Sequence, residues 1–143
     1  MSVKQVTPEE AFEELKKDQN AVLVDVRTFE EFNFVGFVNP SDFGNRMILL
    51  PWQLYPQMQE NAEFASTLAQ GLSELGFEDA NETKIFFLCR TGGRSNAAAA
   101  FSQNCGYKNC FNIISGFEGE LNSGNHRGQF NGWKASSLPW RQK

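Results

Sequence analysis

Phe86-Phe87-Leu88-Cys89-Arg90-Thr91-Gly92-Gly93-Arg94-Ser95 is an apolar run that ends on a cysteine, followed by two arginines and two glycines that lead into Asn96-Ala97-Ala98-Ala99-Ala100-Phe101. Ile85 to Leu88 read as a buried strand, and Ser95 reads as the N-cap of the alanine-rich helix. Cys89 then stands where strand becomes loop, and the loop runs into a helix N-terminus. Backbone N–H groups of the glycines and of the first helical turn are expected to converge on its sulfur, with the helix dipole adding partial positive charge. Such a setting favours thiolate over thiol, which makes Cys89 the candidate nucleophile. Arg90 and Arg94 are the candidate anion binders, each able to present a planar fork to an oxyanion. The amides from Thr91 through Gly92 and Gly93 to Ser95 form the expected cradle.

The rest of the chain predicts the frame for that loop. Thr7-Pro8-Glu9-Glu10 has the pattern of a capping box, and a helix follows with Ala11, Phe12 and Leu15 on one face. Ala21 to Val26 is a β-branched run that reads as a buried parallel strand, with Asp25 and Arg27 at the carboxyl edge of the sheet. Thr28-Phe29-Glu30-Glu31 repeats the capping pattern and predicts a short second helix. From Val35 to Pro56, turn residues interrupt apolar pieces, and one short strand is expected there. Phe64, Leu68, Leu72 and Leu75 lie at helical spacing within Glu60 to Leu75, with Gly76 to end the helix. Cys110 to Ile114 predicts another strand, and Gly116 to Lys143, rich in Gly, Asn and Ser, predicts no long regular element. Alternating strands and helices give an α/β class with a mainly parallel central sheet and helices on both faces. In such sheets ligands bind at the carboxyl ends of strands, where Cys89 falls.

The 143 residues fit a single domain over 1–143, with 41% hydrophobic and 21% charged residues as in an ordinary globular protein. A net charge of −4 gives no general attraction to nucleic acid or to anionic membrane, so any anion site must be local. No apolar run approaches the ~20 residues of a membrane span, and Met1-Ser2-Val3-Lys4-Gln5 lacks a signal-peptide core, which predicts a cytoplasmic protein. Three cysteines predict reduced thiols rather than a disulfide framework. Cys89, Cys105, Cys110 and His126 lack the paired spacing of a structural zinc site, so no metal is expected. His126, the single histidine, reads as a solvated loop residue rather than a general base. Cys105 and Cys110 read as core packing, with a resolving thiol as the alternative. Asp25 and Arg27 are the candidate supporting residues: a structural ion pair among Asp25, Arg27 and Glu31 is expected at the sheet edge, with Asp25 near the cysteine loop as the functional alternative. Phe12, Phe64, Phe86 and Phe101 fall on apolar faces, whereas Trp52, Leu54 and Tyr55 read as a substrate-entrance wall or a contact surface.

Taken together, Cys89-Arg90-Thr91-Gly92-Gly93-Arg94-Ser95, the upstream Leu23-Val24-Asp25-Val26-Arg27 with Glu31-Phe32, and the closing Gly132-Trp133-Lys134-Ala135 with Leu138-Pro139 resemble a single-domain rhodanese, a sulfurtransferase. The resemblance implies a rhodanese-like fold and a two-step displacement. In it Cys89 takes a sulfane sulfur from thiosulfate or a protein persulfide and passes it to a nucleophilic acceptor such as cyanide or a thiol, with no metal or organic cofactor. A persulfide-carrier or protein-interaction module of the same fold is the alternative. Phosphatases and arsenate reductases of related fold place five residues between cysteine and arginine, against four between Cys89 and Arg94, so those activities rank lower. Two departures stand out. Gly36-Phe37-Val38-Asn39-Pro40-Ser41 replaces the Gly-His-Ile-Pro-Gly-Ala often found in the family, and Glu118 to Asn131, containing His126, is an apparent insertion expected near the mouth of the site.

Overall fold

The computed structural model describes residues 3–142; Met1 and Ser2, part of the N-terminal reading above, lie outside the described residues. Five parallel strands form the central sheet: β1 (Lys4–Val6), β2 (Ala21–Asp25), β4 (Met47–Leu49), β7 (Lys84–Leu88) and β8 (Asn109–Ile113), in the order β1-β8-β7-β2-β4. β7 is central, paired with β2 from Lys84 opposite Ala21 to Leu88 opposite Asp25, and with β8 on its other side. The remaining strands are two-residue pieces: β3 (Phe37–Val38) pairs with β9 (Trp140–Arg141), and β5 (Gln53–Leu54) with β6 (Gln59–Glu60). The helices are α1 (Pro8–Lys17), α2 (Phe29–Val35), α3 (Phe64–Glu74) and α4 (Gly93–Asn104). Among the described residues no helix is long and apolar enough to cross a membrane.

The period of two along a strand divides the core. Val22, Val24, Ile85, Phe87 and Cys89 face one layer, where they meet Phe64, Leu68 and Leu72 of α3 and Ala98 and Ala99 of α4. Ala21, Leu23, Phe86 and Leu88 face the other, against Ala11, Phe12 and Leu15 of α1, Phe43, Phe117 and Trp133. The expected α/β architecture, with helices on both faces, is therefore present. Both capping boxes form: Thr7 Oγ1 accepts from Glu10 N at 3.1 Å while Thr7 N donates to Glu10 Oε1 at 2.8 Å, and Thr28 and Glu31 repeat the arrangement.

Several expectations are corrected. Ser95 is not an N-cap: α4 begins at Gly93 behind Gly92, whose φ of +111° turns the chain three residues earlier than a cap at Ser95 does. Strand β1 carries no apolar alternation, two of its three residues being exposed, and its place is set by backbone pairing with β8. The segment from Val35 to Pro56 holds more than one short strand, because β4 joins the main sheet while Gln53 and Leu54 pair with Gln59 and Glu60. That pairing also delays α3, which starts at Phe64 rather than Glu60. Phe101 is 39% exposed rather than buried, although its ring lies 5.4 Å from Trp52 and 6.1 Å from Phe64. Trp52 in turn meets Phe64 edge-on at 5.0 Å and belongs to the core margin; Leu54 and Tyr55 remain exposed. Cys105 is exposed at the end of α4, so of Cys105 and Cys110 it is Cys110 that packs in the core.

Candidate active site

Cys89 follows the last residue of β7, and its side chain continues the alternation toward α4. Its Sγ accepts from the Gly92 amide at 3.1 Å and lies 3.2 Å from the Ser95 hydroxyl. One backbone N–H and one hydroxyl, both from the start of α4, therefore point at a sulfur whose residue is 1% exposed. The loop tip is open: Arg90 and Thr91 are exposed, and Gly93 stands at the surface.

Below the tip, the segment after β8 seals the loop. Phe117 N donates to the Cys89 carbonyl at 2.8 Å, and the amides of Glu118 and Gly119 donate to the Arg90 carbonyl at 3.0 and 3.2 Å. Gly116 permits this approach: its φ is +62°, and a methyl there would overlap the Cys89 carbonyl and lie 2.6 Å from the Arg90 carbonyl. The insertion is tied to the same place. Gly128 N donates to the Glu118 carbonyl at 2.6 Å and Arg127 donates to the Gly119 carbonyl at 2.8 Å, while His126 is exposed and its amide binds Asn122.

The two arginines of the loop have different surroundings. Arg94 is clasped by Glu31 of α2 through two parallel bonds of 2.7 and 2.9 Å, with both side chains about four-fifths buried. Burial pulls the Glu31 carboxyl upward, but the hydrogen bonds and charge of Arg94 and the bonds from Thr28 outweigh it and hold it below its usual range. The hydrogen bond to Glu31 holds the guanidinium of Arg94 above its own. Arg90, by contrast, makes no ion pair or side-chain hydrogen bond among the described residues, so it is the loop cation with an open fork.

Asp25 and Arg27 form a fully buried pair, Arg27 Nη2 to Asp25 Oδ2 at 2.8 Å and Nε to Oδ1 at 3.0 Å. Glu31 is not part of that pair, as it turns to Arg94 instead. Arg27 also donates to the Gly36 carbonyl at 2.9 Å and lies 4.3 Å from the centre of the Phe117 ring, so it braces the residue whose amide holds the Cys89 carbonyl. Its Nη1 has no partner among the described residues. Lys134 sits over Trp140 and Phe117 and donates to the Val35 carbonyl; burial lowers its ammonium below the usual lysine range.

Sequence reasoning missed two groups. Glu31 is expected from the sequence as a capping residue and in an ion pair with Asp25 and Arg27, not as the partner of Arg94. Asn112, in the middle of β8 and 4% exposed, lies 2.6 Å from Ser95 Oγ; a lone asparagine within Cys110-Phe111-Asn112-Ile113 was the available signal, since a buried amide needs a partner. Among the described residues no three His, Cys, Asp or Glu side chains are grouped to hold a metal ion.

A family model described as the STR4 middle domain matches residues 3–143. The crystal structure of Rv0390 from M. tuberculosis has a TM-score of 0.88 at 34% identity, covering 100% of both chains. An uncharacterized protein of Rickettsia rickettsii is 42% identical over 141 residues, 99% of each chain. More distantly, a protein of Actinobacillus succinogenes named thiosulfate sulfurtransferase GlpE is 27% identical over 124 residues, 87% of this chain and 89% of that one. A rhodanese-like domain protein from Staphylococcus aureus, 20% identical with a TM-score of 0.53 over 80% of this chain and 87% of that one, shares the fold. A parallel sheet that ends β7 on a cysteine loop capped by α4, matched along nearly its whole length by that family model, makes this chain a member of the STR4 middle domain family with the fold of a single-domain rhodanese.

Proposed function

We propose that the chain is a sulfurtransferase that carries a sulfane sulfur as a persulfide on Cys89. The observation that carries this reading is the convergence of the Gly92 amide and the Ser95 hydroxyl on Sγ at the head of α4. The amide, joined by the hydroxyl when its proton faces the sulfur, stabilises negative charge there, which is what a thiolate nucleophile and a leaving thiolate both require. With thiosulfate as donor, the thiolate attacks the outer sulfur, an S–S bond forms to Cys89, the bond to the sulfonate breaks, and sulfite leaves with the electron pair. Cyanide or a thiolate then attacks the outer sulfur of the persulfide, and the Cys89 thiolate is regenerated. No proton need move in either step with cyanide, so the reaction requires no histidine base. Arg90, exposed and unpaired, is the group available to hold the sulfonate, while Arg94 is held by Glu31.

One surface favours a protein persulfide as donor in place of thiosulfate. Helix α2, which delivers Glu31 to the loop, also displays Phe29 and Phe34, 50% and 83% exposed. Incubation with thiosulfate is expected to add the mass of one sulfur to the wild-type protein, and cyanide to remove it as thiocyanate. Cys89→Ser should lose both; unchanged thiocyanate production by that variant refutes the mechanism. Slow loading from thiosulfate with rapid loading from a protein persulfide selects the carrier version.

A further inference from the structure

The Cys89 sulfur stands at the inner end of a chain of hydrogen bonds that runs to the surface. Ser95 Oγ lies 3.2 Å from Sγ and 2.6 Å from Asn112 Oδ1; Asn112 Nδ2 lies 2.8 Å from Gln5 Oε1; Gln5 Nε2 lies 2.8 Å from Asn96 Oδ1. Ser95 and Asn112 are buried, whereas Gln5 on β1 and Asn96 on α4 are exposed. A hydroxyl has one proton. While Asn112 turns its oxygen to Ser95, that proton must lie between the two oxygens, and Ser95 faces the sulfur only as an acceptor, which suits the thiol. A thiolate needs the opposite arrangement, with the Ser95 proton on the sulfur. The Asn112 oxygen then opposes a lone pair at 2.6 Å, a clash removed by turning the amide so that Nδ2 donates to Ser95. Gln5 and then Asn96 must reverse in turn, which gives up the 3.4 Å bond from Gln5 Nε2 to the Val3 carbonyl; the heavy-atom positions from Ser95 to Asn96 otherwise serve both polarities. The chain can reverse because its outer end is in water.

We propose that Asn112 is a positioning residue whose amide orientation, coupled through Gln5, sets whether the Ser95 hydroxyl serves the thiol or the thiolate of Cys89. The inference rests on Cys89 being the reacting group, but not on any sulfur donor. The charged groups around the sulfur are Arg90 in its own loop, Arg94 on α4 with Glu31 of α2 clasped to it, and the Asp25–Arg27 pair at the end of the neighbouring strand; Glu118, beyond β8, meets the loop through its backbone amide. None of them belongs to the chain of amides.

Gln5→Glu tests the coupling from the surface. A carboxylate at position 5 only accepts, so it holds Asn112 Nδ2 outward, keeps the Asn112 oxygen toward Ser95 and withholds the Ser95 proton from the thiolate. The readout is the pH midpoint of the ultraviolet thiolate absorbance, taken as the difference from the corresponding Cys89→Ser protein, in low and in high salt. The midpoint is expected to rise, with the thiolate-to-thiol ratio at a given pH falling about three- to tenfold. The rise should survive high salt, which screens a charge acting through solvent, and should vanish in an Asn112→Leu background, where the path is cut. An unchanged midpoint overturns the proposal, as does a rise abolished by salt or one of equal size in the Asn112→Leu protein. If Asn112→Leu does not fold, the salt comparison decides alone. Sulfur loading is not part of this measurement, so the relay can fail while sulfur transfer stands, and the reverse.

Discussion

Replacing Glu31 with glutamine isolates the clasp that holds the cysteine loop to α2. In the wild type, Glu31 Oε1 accepts from Arg94 and from both the amide and the hydroxyl of Thr28, while Oε2 accepts the second Arg94 bond at 2.9 Å. Glutamine keeps one oxygen for the cap and loses the charge and the second acceptor. Two unit charges at about 2.8 Å attract by roughly 6 kcal/mol at an effective dielectric of about 20, and desolvation cancels much of this. With the side chains 18% and 21% exposed, the pair lies between a surface bridge and a buried one, and Glu31→Gln should cost about 1–3 kcal/mol. For a chain of this size that lowers Tm by about 3–10 °C. The sign with pH follows from the lowered carboxyl of Glu31. Its contribution is complete above the unfolded glutamate value of about 4.3 and is lost as pH falls through the lower folded value. Urea unfolding near neutral pH should therefore separate the two proteins, and the gap should narrow progressively as pH falls below about 4.3. Equal stability at neutral pH, or a gap of the same size in acid, refutes the reasoning.

Arg90→Ala should leave urea stability within about 0.5 kcal/mol, because the side chain is exposed and unpaired, while raising the KM for thiosulfate about tenfold; an unchanged KM removes Arg90 from donor binding. Gly116→Ala should destabilise by more than about 2 kcal/mol and slow sulfur loading of Cys89, since the added methyl meets the carbonyls of Cys89 and Arg90 at a φ of +62°; unfolding curves and loading rates that match the wild type contradict the packing described. Burial pushes the Cys110 thiol up to about 12, so mildly alkaline iodoacetamide should label exposed Cys105 and spare Cys110 until the protein is unfolded; equal labelling of both in the native state rules out that placement.

Much of the frame was legible because it is encoded locally. Two capping boxes, the buried strand before Cys89 and the apolar faces of α1 and α3 each need only a window of neighbouring residues to be recognised. Strand β1 escaped because Lys4, Gln5 and Val6 have no alternating pattern and are held by backbone pairing with β8. The start of α4 was misplaced because a glycine in a positive-φ turn competes with serine for the cap, and the serine was needed elsewhere. Cys105 was assigned to the core by residue type and Phe101 by its place on an expected apolar face, although Cys105 stands at the end of α4 and Phe101 is 39% exposed.

The chemistry at the end of β7 is written in consecutive residues: a cysteine, an arginine-bearing loop and a helix start, with four residues between Cys89 and Arg94. Which arginine stays open, and which hydroxyl and amides serve the sulfur, was decided only when the strands took the order β1-β8-β7-β2-β4. That order carries Glu31 to Arg94, Asn112 to Ser95 and Gln5 to Asn112, partners 63, 17 and 107 residues apart. Periodicity records which way a side chain faces within its own element. Its partner depends on which elements lie beside it and in what register, and those are properties of the assembled sheet.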